Sequence, residues 1–267
     1  MEQLLSAISM PEEVCRAILR LHRDPGFQPD LSGLTSEDRW EESRRALKAA
    51  LGPDPEGFRE LCCQLRCALA TKAEFDRLGI SGEVYFHTMA CFSRFVREHR
   101  ESYGRYGFDR GFWTVRQISC RLLRIGQLEY ELTVREGQKG VSLHIPTDVI
   151  LRPELLRTSY LSARALLEAH FPDYAWGPWY CHSWLLSPDL HRLLPEDSNI
   201  LRFQQSFSIT PLESPSTGVL QWVFKNPGLP PEQFPENTTL QRNLKAFLLS
   251  GYTFHDARGT LISDPFR

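Results

Sequence analysis

The spacing of apolar residues changes along this chain, from a helical period to a strand period, near Tyr103. Before that point, apolar residues recur every three to four positions, as in an amphipathic helix. After it, the segment Leu128 to Val134 alternates apolar and polar residues, which is the pattern of a half-buried strand. We therefore predict a helical N-terminal domain over residues 1–108 and a domain containing a sheet over residues 109–267.

Turn and capping residues divide the first part into four predicted helices. Gly52-Pro53 ends the second of them, Gly79 ends the third, and Ser81 begins the fourth as its N-cap. The predicted helices cover residues 10–22, 35–51, 55–78 and 81–102.

The second part mixes strand and helix patterns, in an order that favours a mixed sheet of the α/β (α+β) class over a regularly alternating one. The predicted strands cover residues 119–125, 128–135, 141–145, 179–186, 200–209 and 219–224. The predicted helices cover residues 159–171, 188–194 and 239–249, and residues 251–262 form a last extended segment.

Charge is evenly balanced along the chain. There are 31 Lys and Arg against 33 Asp and Glu, a formal net charge of -2. Nucleic acids and anionic membranes are bound by concentrated basic faces, so we expect neither as a partner.

The beginning of the sequence, Met1 to Val14, lacks the basic start and apolar run of a signal peptide. No segment approaches the roughly 18 apolar residues of a membrane span. We expect a cytoplasmic protein, in which the seven cysteines stay reduced.

Catalytic motifs with fixed spacing are missing from the sequence. It contains no GxSxG, Walker A, HExxH or GxGxxG pattern. Cys62, Cys63 and Cys67 fall on a predicted helix, but no fourth ligand lies at a zinc spacing, so we interpret them as helix packing and expect no metal.

His182 and Ser183, within an apolar and aromatic strand, are the candidates for catalysis. Histidine titrates near neutral pH and can accept a proton from an amine or an alcohol. The alternative is a buried histidine satisfied by the backbone. His144 ends another predicted strand, and if the two strands are neighbours, both histidines line one cleft.

Three further features each have a ligand-binding and a structural interpretation. Arg157-Thr158-Ser159 opens a predicted helix, where it binds a phosphate or simply caps the helix. Asn199 bonds a ligand amide or belongs to a turn. The aromatic cluster lines an acyl pocket or belongs to the core; it consists of Trp176, Trp179, Tyr180 and Trp184.

Three segments resemble a bacterial family of acyltransferase domain-containing proteins, which have a helical N-terminal domain and a GNAT-like C-terminal domain. They are Trp179 to Pro188, Leu193 to Pro195 and Ser198 to Phe203. The resemblance implies a GNAT-type N-acyltransferase that moves an acyl group from acyl-CoA, or acetyl-CoA, to a small-molecule amine by direct attack.

The resemblance also implies positions for the co-substrate. Its pantetheine arm would lie between the central strand, which ends at His144 and Ile145, and the strand that starts at Trp179. Its pyrophosphate would lie at the helix start, near Arg157, Thr158 and Ser159. Asn199 is a further candidate contact, from the chemistry of its side chain and not from the resemblance. His182 would be the general base, with Ser183 or Tyr180 near the leaving sulfur.

The sequence departs from the family pattern in one segment. GNAT enzymes carry a glycine-rich loop where the pyrophosphate binds, whereas this chain has no glycine between Gly140 and Gly177. The difference favours an alternative hypothesis, a non-catalytic GNAT-like module that binds a small ligand or a protein.

Overall fold

A computed structural model describes residues 1–216, 218–225 and 228–262. The chain divides into two compact units, Met1–Ile125 and Gly126–Arg267. Within the described ranges, no helix is long and apolar enough to cross a membrane.

The first unit is built from helices, most of which bury one apolar stripe, and it ends in a short strand. The predicted helical character of this part is confirmed. Its elements are α1 (Glu2–Ala7), α2 (Glu12–Arg23), α3 (Trp40–Leu51), α4 (Phe58–Arg77), α5 (Gly82–Met89), α6 (Cys91–Tyr103), α7 (Gly111–Ile118) and β1 (Leu122–Ile125).

The helix predicted over residues 81–102 is divided into α5 and α6 at Ala90. Thr88, just before the break, donates its hydroxyl proton to the carbonyl of Val84 at 2.7 Å, a bond that bends helices. The same hydroxyl oxygen accepts the backbone N–H of Arg124 at 2.9 Å. The end of α5 thus lies beside β1, where the Thr88 hydroxyl oxygen accepts a backbone N–H of the strand.

The helix α4 is the core of the first unit, and its three cysteines belong to that core. Cys62 and Cys63 are fully buried, and Cys67 is 4% exposed. Burial raises the thiol pKa to about 11 for Cys62, about 12 for Cys63 and about 11 for Cys67. Among the described residues, no group of three His, Cys, Asp or Glu side chains could hold a metal ion.

The second unit combines a twisted sheet with helices on one of its faces and at one end. Its strands are β2 (Leu128–Arg135), β3 (Gln138–His144), β4 (Trp179–Ser183), β5 (Phe207–Pro215) and β6 (His255–Leu261). Its α-helices are α8 (Pro153–His170), α9 (Pro172–Ala175), α10 (Asn199–Gln204), α11 (Gly218–Phe224) and α12 (Thr239–Leu249). Short 3₁₀ helices cover Trp184–Leu186, Pro188–Arg192 and Pro231–Gln233.

Within this unit the strands lie in the order β2-β3-β4-β6-β5. Only β3 and β4 run parallel among these neighbours; β2–β3, β4–β6 and β5–β6 are antiparallel. Paired residues face the same side of a sheet. One face therefore carries the buried Tyr130, Leu143 and Cys181, and the other face carries Glu131, Ser142, Tyr180 and Thr260.

The helix α8 packs on the apolar face of the sheet. Its buried residues recur at helical spacing, and they include Leu156, Tyr160, Ala163 and Leu167. A second apolar core, beyond the end of β4, joins the 3₁₀ helix Pro188–Arg192 to α10, α11 and α12. That second core consists of Leu190, Leu193, Leu201, Val219, Val223, Phe224, Phe234, Leu244, Phe247 and Phe254.

The strand predicted over residues 200–209 is wrong in its first part, and the strand predicted over residues 219–224 is wrong throughout. The residues 200–204 belong to the helix α10, and β5 starts only at Phe207. The residues 219–224 belong to the helix α11. In both cases a serine hydroxyl accepts the backbone N–H of the first helical turn, Ser198 that of Ile200 and Ser216 that of Val219. Short apolar runs have no period that distinguishes the two states, and the caps decide for helix.

Candidate functional site

The parallel strands β3 and β4 are paired at the N-terminal end of β4, and the described pairing ends before either strand does. Its described pairing consists of Val141 with Trp179, Ser142 with Tyr180 and Leu143 with Cys181. At the start of the pair the backbones approach closely, since a Cβ atom at Gly140 would clash with the carbonyl of Pro178. At the other end each strand continues past the last pair.

The two candidate histidines, His144 and His182, are the next residues on these strands, one position beyond the last pair. Because β3 and β4 are parallel and in register, these side chains lie on the same face of the sheet, which is also the face of Ser142 and Tyr180. The structure therefore places the two predicted residues on one face of the sheet, just past the last described pair of β3 and β4.

His182 lies near a carboxylate from the neighbouring strand β6. It pairs with Arg258 across β4 and β6, and Asp256 is two residues along β6 on the same face. The distance from His182 Nε2 to Asp256 Oδ2 is 3.8 Å, and the imidazole side chain is 48% exposed. His182 is thus accessible to a ligand on one side and faces an anion on the other.

His144 has a carboxylate partner of its own. Its Nε2 lies 2.7 Å from Oε2 of Glu131, which projects from β2 on the same face. Both groups are about one-fifth exposed. The face therefore contains two imidazole–carboxylate pairs, one close and one more open.

The other two predicted catalytic residues are held by neighbours within the second unit. The Ser183 hydroxyl oxygen accepts the backbone N–H of Leu185 at 3.1 Å and so caps the 3₁₀ helix that ends the strand. The strand predicted over residues 179–186 consequently stops at Ser183. The ring of Tyr180 lies beneath the Arg135 guanidinium, 4.5 Å from the ring centroid.

The helix α8 begins at Pro153, with Arg152 as its N-cap, four to six residues before the start predicted near Arg157 to Ser159. Proline suits this first helical position, because the N–H that it lacks would have no partner within the helix. Arg157, Thr158 and Ser159 therefore lie inside the helix, not at its start.

These three residues have different surroundings. Arg157 is exposed, and so is Thr158, whose hydroxyl donates to the carbonyl of Glu154 at 3.0 Å. Ser159 is buried, and its oxygen lies 2.9 Å from the hydroxyl of Tyr130. Of the three, Arg157 and Thr158 are open to a ligand.

The remaining predicted ligand contacts lie in two other places. Ile145 is half-buried in the loop that follows β3. Asn199 is the exposed first residue of α10, after the cap at Ser198.

The aromatic cluster is divided among different surroundings. Trp179 is buried, and its indole N–H donates to the carbonyl of Ala175 at 3.1 Å. Trp176 is 70% exposed and stacks on the guanidinium of Arg164. Trp184 packs against the second apolar core. The four aromatic residues do not have one common environment.

Two carboxylates of the site, Glu131 and Asp256, were not among the residues predicted from the sequence. The signal for the second was present in the segment 256–260, where Asp256, Arg258 and Thr260 alternate with Ala257 and Gly259. This alternation of polar with small residues is a strand pattern with one polar face. The expectation of an extended segment there did not include the direction of its side chains.

Two families match this chain. The family described as "GNAT-like C-terminal domain" matches residues 119–261, and the family described as "N-acyltransferase N-terminal domain" matches residues 1–120. No curated protein matches the sequence significantly.

Solved structures of acyltransferases are similar over nearly the whole chain. One is a crystal structure of an acyltransferase in complex with decanoyl-CoA and teicoplanin, with a TM-score of 0.83 and 26% identity over 97% of this chain and 86% of that chain. A second contains CoA and 10C-teicoplanin, with a TM-score of 0.83 and 25% identity over the same shares of the two chains. The predicted fold class, a helical part followed by a GNAT-like mixed sheet, is confirmed.

Proposed function

Since this chain belongs to the family with a GNAT-like C-terminal domain, here preceded by an N-acyltransferase N-terminal domain, we propose that it transfers an acyl group from acyl-CoA to the nitrogen of a small-molecule amine. The observation that carries the proposal is the position of His182, an accessible imidazole at the point where the β3–β4 pairing ends.

Acyl-CoA is assigned to the separation between β3 and β4. The family resemblance implies that the pantetheine arm bonds strand backbone in such a gap. The similar acyltransferases were crystallised with decanoyl-CoA or CoA, which supports the same co-substrate here. An acyl-CoA whose thioester lies at the open end would have its carbonyl carbon close to His182.

The pyrophosphate is assigned to the start of α8. The first backbone N–H groups and the dipole of a helix favour an anion at its N-terminus. Arg152 at the N-cap and the exposed Arg157 add positive charge to this end, although Arg152 also lies 3.2 Å from Glu154. The contact replaces the glycine-rich loop of GNAT enzymes with arginine side chains.

The chemical step needs a neutral amine beside the thioester. The amine nitrogen attacks the carbonyl carbon, a C–N bond forms, and the C–S bond breaks. His182 accepts the proton that the nitrogen loses, and the departing thiolate takes up a proton to leave as CoA thiol. The products are an amide and free CoA, and most of the acceleration comes from holding the two reactants together.

The direct test is calorimetry with decanoyl-CoA, followed by an assay of CoA thiol release with amines. Teicoplanin is the first acceptor to try, together with an amino-acid ester and an amino sugar. Micromolar binding with amine-dependent thiol release is the expected result, and binding should also raise the melting temperature. Absence of decanoyl-CoA binding at millimolar concentration would overturn the proposal.

A non-catalytic binding module is the second candidate. The glycine-free segment between Gly140 and Gly177 favours it, because glycine allows backbone amides to approach phosphates closely. This module would bind another small ligand or a protein and would release no CoA thiol for any acceptor, so the same assay separates the two candidates.

A further inference from the structure

The carboxylate of Asp256 is only partly satisfied. Its Oδ1 is buried and has no hydrogen-bond partner among the described residues. Its Oδ2 lies 3.8 Å from Nε2 of His182, outside hydrogen-bonding distance. A buried oxygen without a partner costs stability, and a role in chemistry is one of the explanations for such a group in a native structure.

The backbone fixes the direction of this side chain. Just before it, the backbone N–H of His255 donates to Oδ2 of Asp189 at 3.0 Å, and Nδ1 of His255 lies 3.3 Å from the same oxygen. Just after it, Ala257 is fully buried and pairs with Ser183. Because alternate residues of a strand face opposite sides, Asp256 must face the side of His182.

We propose that Asp256 is the positioning residue for His182, an inference that rests on the proposed function. In the complex with both substrates, the Asp256 carboxylate accepts the Nε2–H of His182. A relative shift of about 1 Å brings the two atoms to hydrogen-bonding distance. Nδ1 then keeps its lone pair and is the atom that accepts the proton of the attacking amine.

The Asp256 carboxylate compensates the positive charge that forms on His182 during acyl transfer. When the amine nitrogen bonds to the thioester carbon, its proton passes to Nδ1 and an imidazolium forms beside Asp256. Arg258, which pairs with His182 across the two strands, places a positive charge on the same face. The Asp256 carboxylate offsets the positive charge of Arg258 and stabilises the imidazolium of His182. The imidazolium then passes the proton on Nδ1 to the thiolate.

The other carboxylates on this face, Glu129 and Glu131, project from β2, beside His144 and not beside His182. Oε2 of Glu131 is 2.7 Å from His144, so it already forms the close pair. The remaining charged neighbour across the strand, Arg258, is a cation and cannot accept an N–H. Asp256 is therefore the group assigned to the Nε2 side of His182.

The test compares Asp256→Asn with the wild type. We expect the rate of CoA release from decanoyl-CoA at saturating amine to fall at least tenfold, with the KM for decanoyl-CoA within about twofold. We also expect an equal or higher melting temperature, since the variant removes the negative charge of a carboxylate whose buried oxygen has no described partner. Asp173→Asn is the matched control, because it removes a surface carboxylate that is paired with Lys139 on another element.

A readout independent of turnover is the tautomer of His182. Its signals in ¹⁵N spectra of histidine-labelled protein are assigned by their loss in His182→Gln. The wild type should carry the proton on Nε2, and Asp256→Asn should move the population towards Nδ1–H, because an asparagine amide can donate to Nε2. The inference is overturned if the tautomer stays the same, or if the rate loss comes with a lower melting temperature.

The two proposals fail separately. If the wild type releases no CoA thiol with any acceptor, the proposed function is lost, while the tautomer and the melting temperature still decide whether Asp256 orients His182. If the wild type is active and Asp256→Asn behaves like Asp173→Asn, the positioning role alone is wrong.

Discussion

The hydroxyl of Ser159 lies 2.9 Å from the phenolic oxygen of Tyr130, between α8 and the sheet. The same serine oxygen accepts the backbone N–H groups of Gln127 at 3.2 Å and Leu128 at 3.4 Å. The buried Ser159 side chain therefore accepts the backbone N–H groups of the turn before β2, and it links α8 to that strand.

Replacing Ser159 by alanine tests this fastening against a role in binding CoA. Ser159→Ala leaves two backbone N–H groups without their acceptor and removes the hydroxyl beside the buried Tyr130 phenol, so the free energy of unfolding should fall by about 1–3 kcal/mol. Urea titration measures the loss. Calorimetry of the folded variant with decanoyl-CoA should give an affinity within about twofold of the wild type.

The matched control is Thr158→Ala, one residue earlier on the exposed side of α8. Its effect on unfolding should stay within about 0.5 kcal/mol. Equal stability changes for the two variants would contradict the fastening role of Ser159.

Arg157 is the exposed cation in the second turn of α8, and it tests the phosphate assignment. Arg157→Ala should weaken CoA binding by about threefold to tenfold, because it removes one charge near the helix start. Its effect on dephosphorylated pantetheine should be negligible. Calorimetry with both ligands gives the comparison, and Arg202→Ala, an exposed arginine on α10, is the control. Equal weakening of both ligands would argue against a phosphate contact.

His182 is the proposed base. His182→Ala should lower the rate of CoA release at saturating substrates by about 100-fold or more, while the affinity for decanoyl-CoA stays within about threefold. His170→Ala, at the exposed end of α8, should leave both quantities unchanged. Undiminished turnover in His182→Ala would remove this residue from the mechanism.

Buried thiols predict how stability depends on pH. Burial raises the pKa of Cys63, Cys120 and Cys181 to about 12. In the unfolded chain these thiols titrate near pH 8.5, as free cysteine does. Above that pH the unfolded state therefore binds fewer protons, and stability falls as pH rises towards 12.

The check is urea unfolding at pH 8 and pH 10. The free energy of unfolding should be smaller at pH 10, and each of these thiols contributes up to about 1.4 kcal/mol per pH unit. Cys181→Ala should show a shallower decline between the two values. A stability that is equal at both pH values would contradict the burial of these groups.

The spacing of apolar residues correctly predicted the elements in which the pattern repeats many times. The helical first part and the alternating segment that became β2 were both visible in the sequence, since each repeats its pattern over several turns or pairs. Residues 200–204 and 219–224 were assigned wrongly, because their state depends on a capping serine and on packing in the second core.

The site was predictable only as separate residues. The pairing that places His144 beside His182 follows from the register of β3 and β4, which no local pattern contains. Asp256 reaches the same face only through the antiparallel pairing of β4 with β6. Contacts between strands that are distant in sequence depend on tertiary structure. Local sequence patterns therefore indicate candidate site residues but not which side chains lie next to them.

The close approach of backbones at Gly140 and Gly177 has a consequence for how this site can diversify. A Cβ atom at Gly177 would clash with the carbonyl of Lys139, so the joined end of β3 and β4 tolerates no side chain at that position. At the other end, past the last described pair, the two strands carry the large side chains of His144 and His182. Substitutions near the two histidines can therefore change which ligands fit, whereas the joined end has to keep its two glycines.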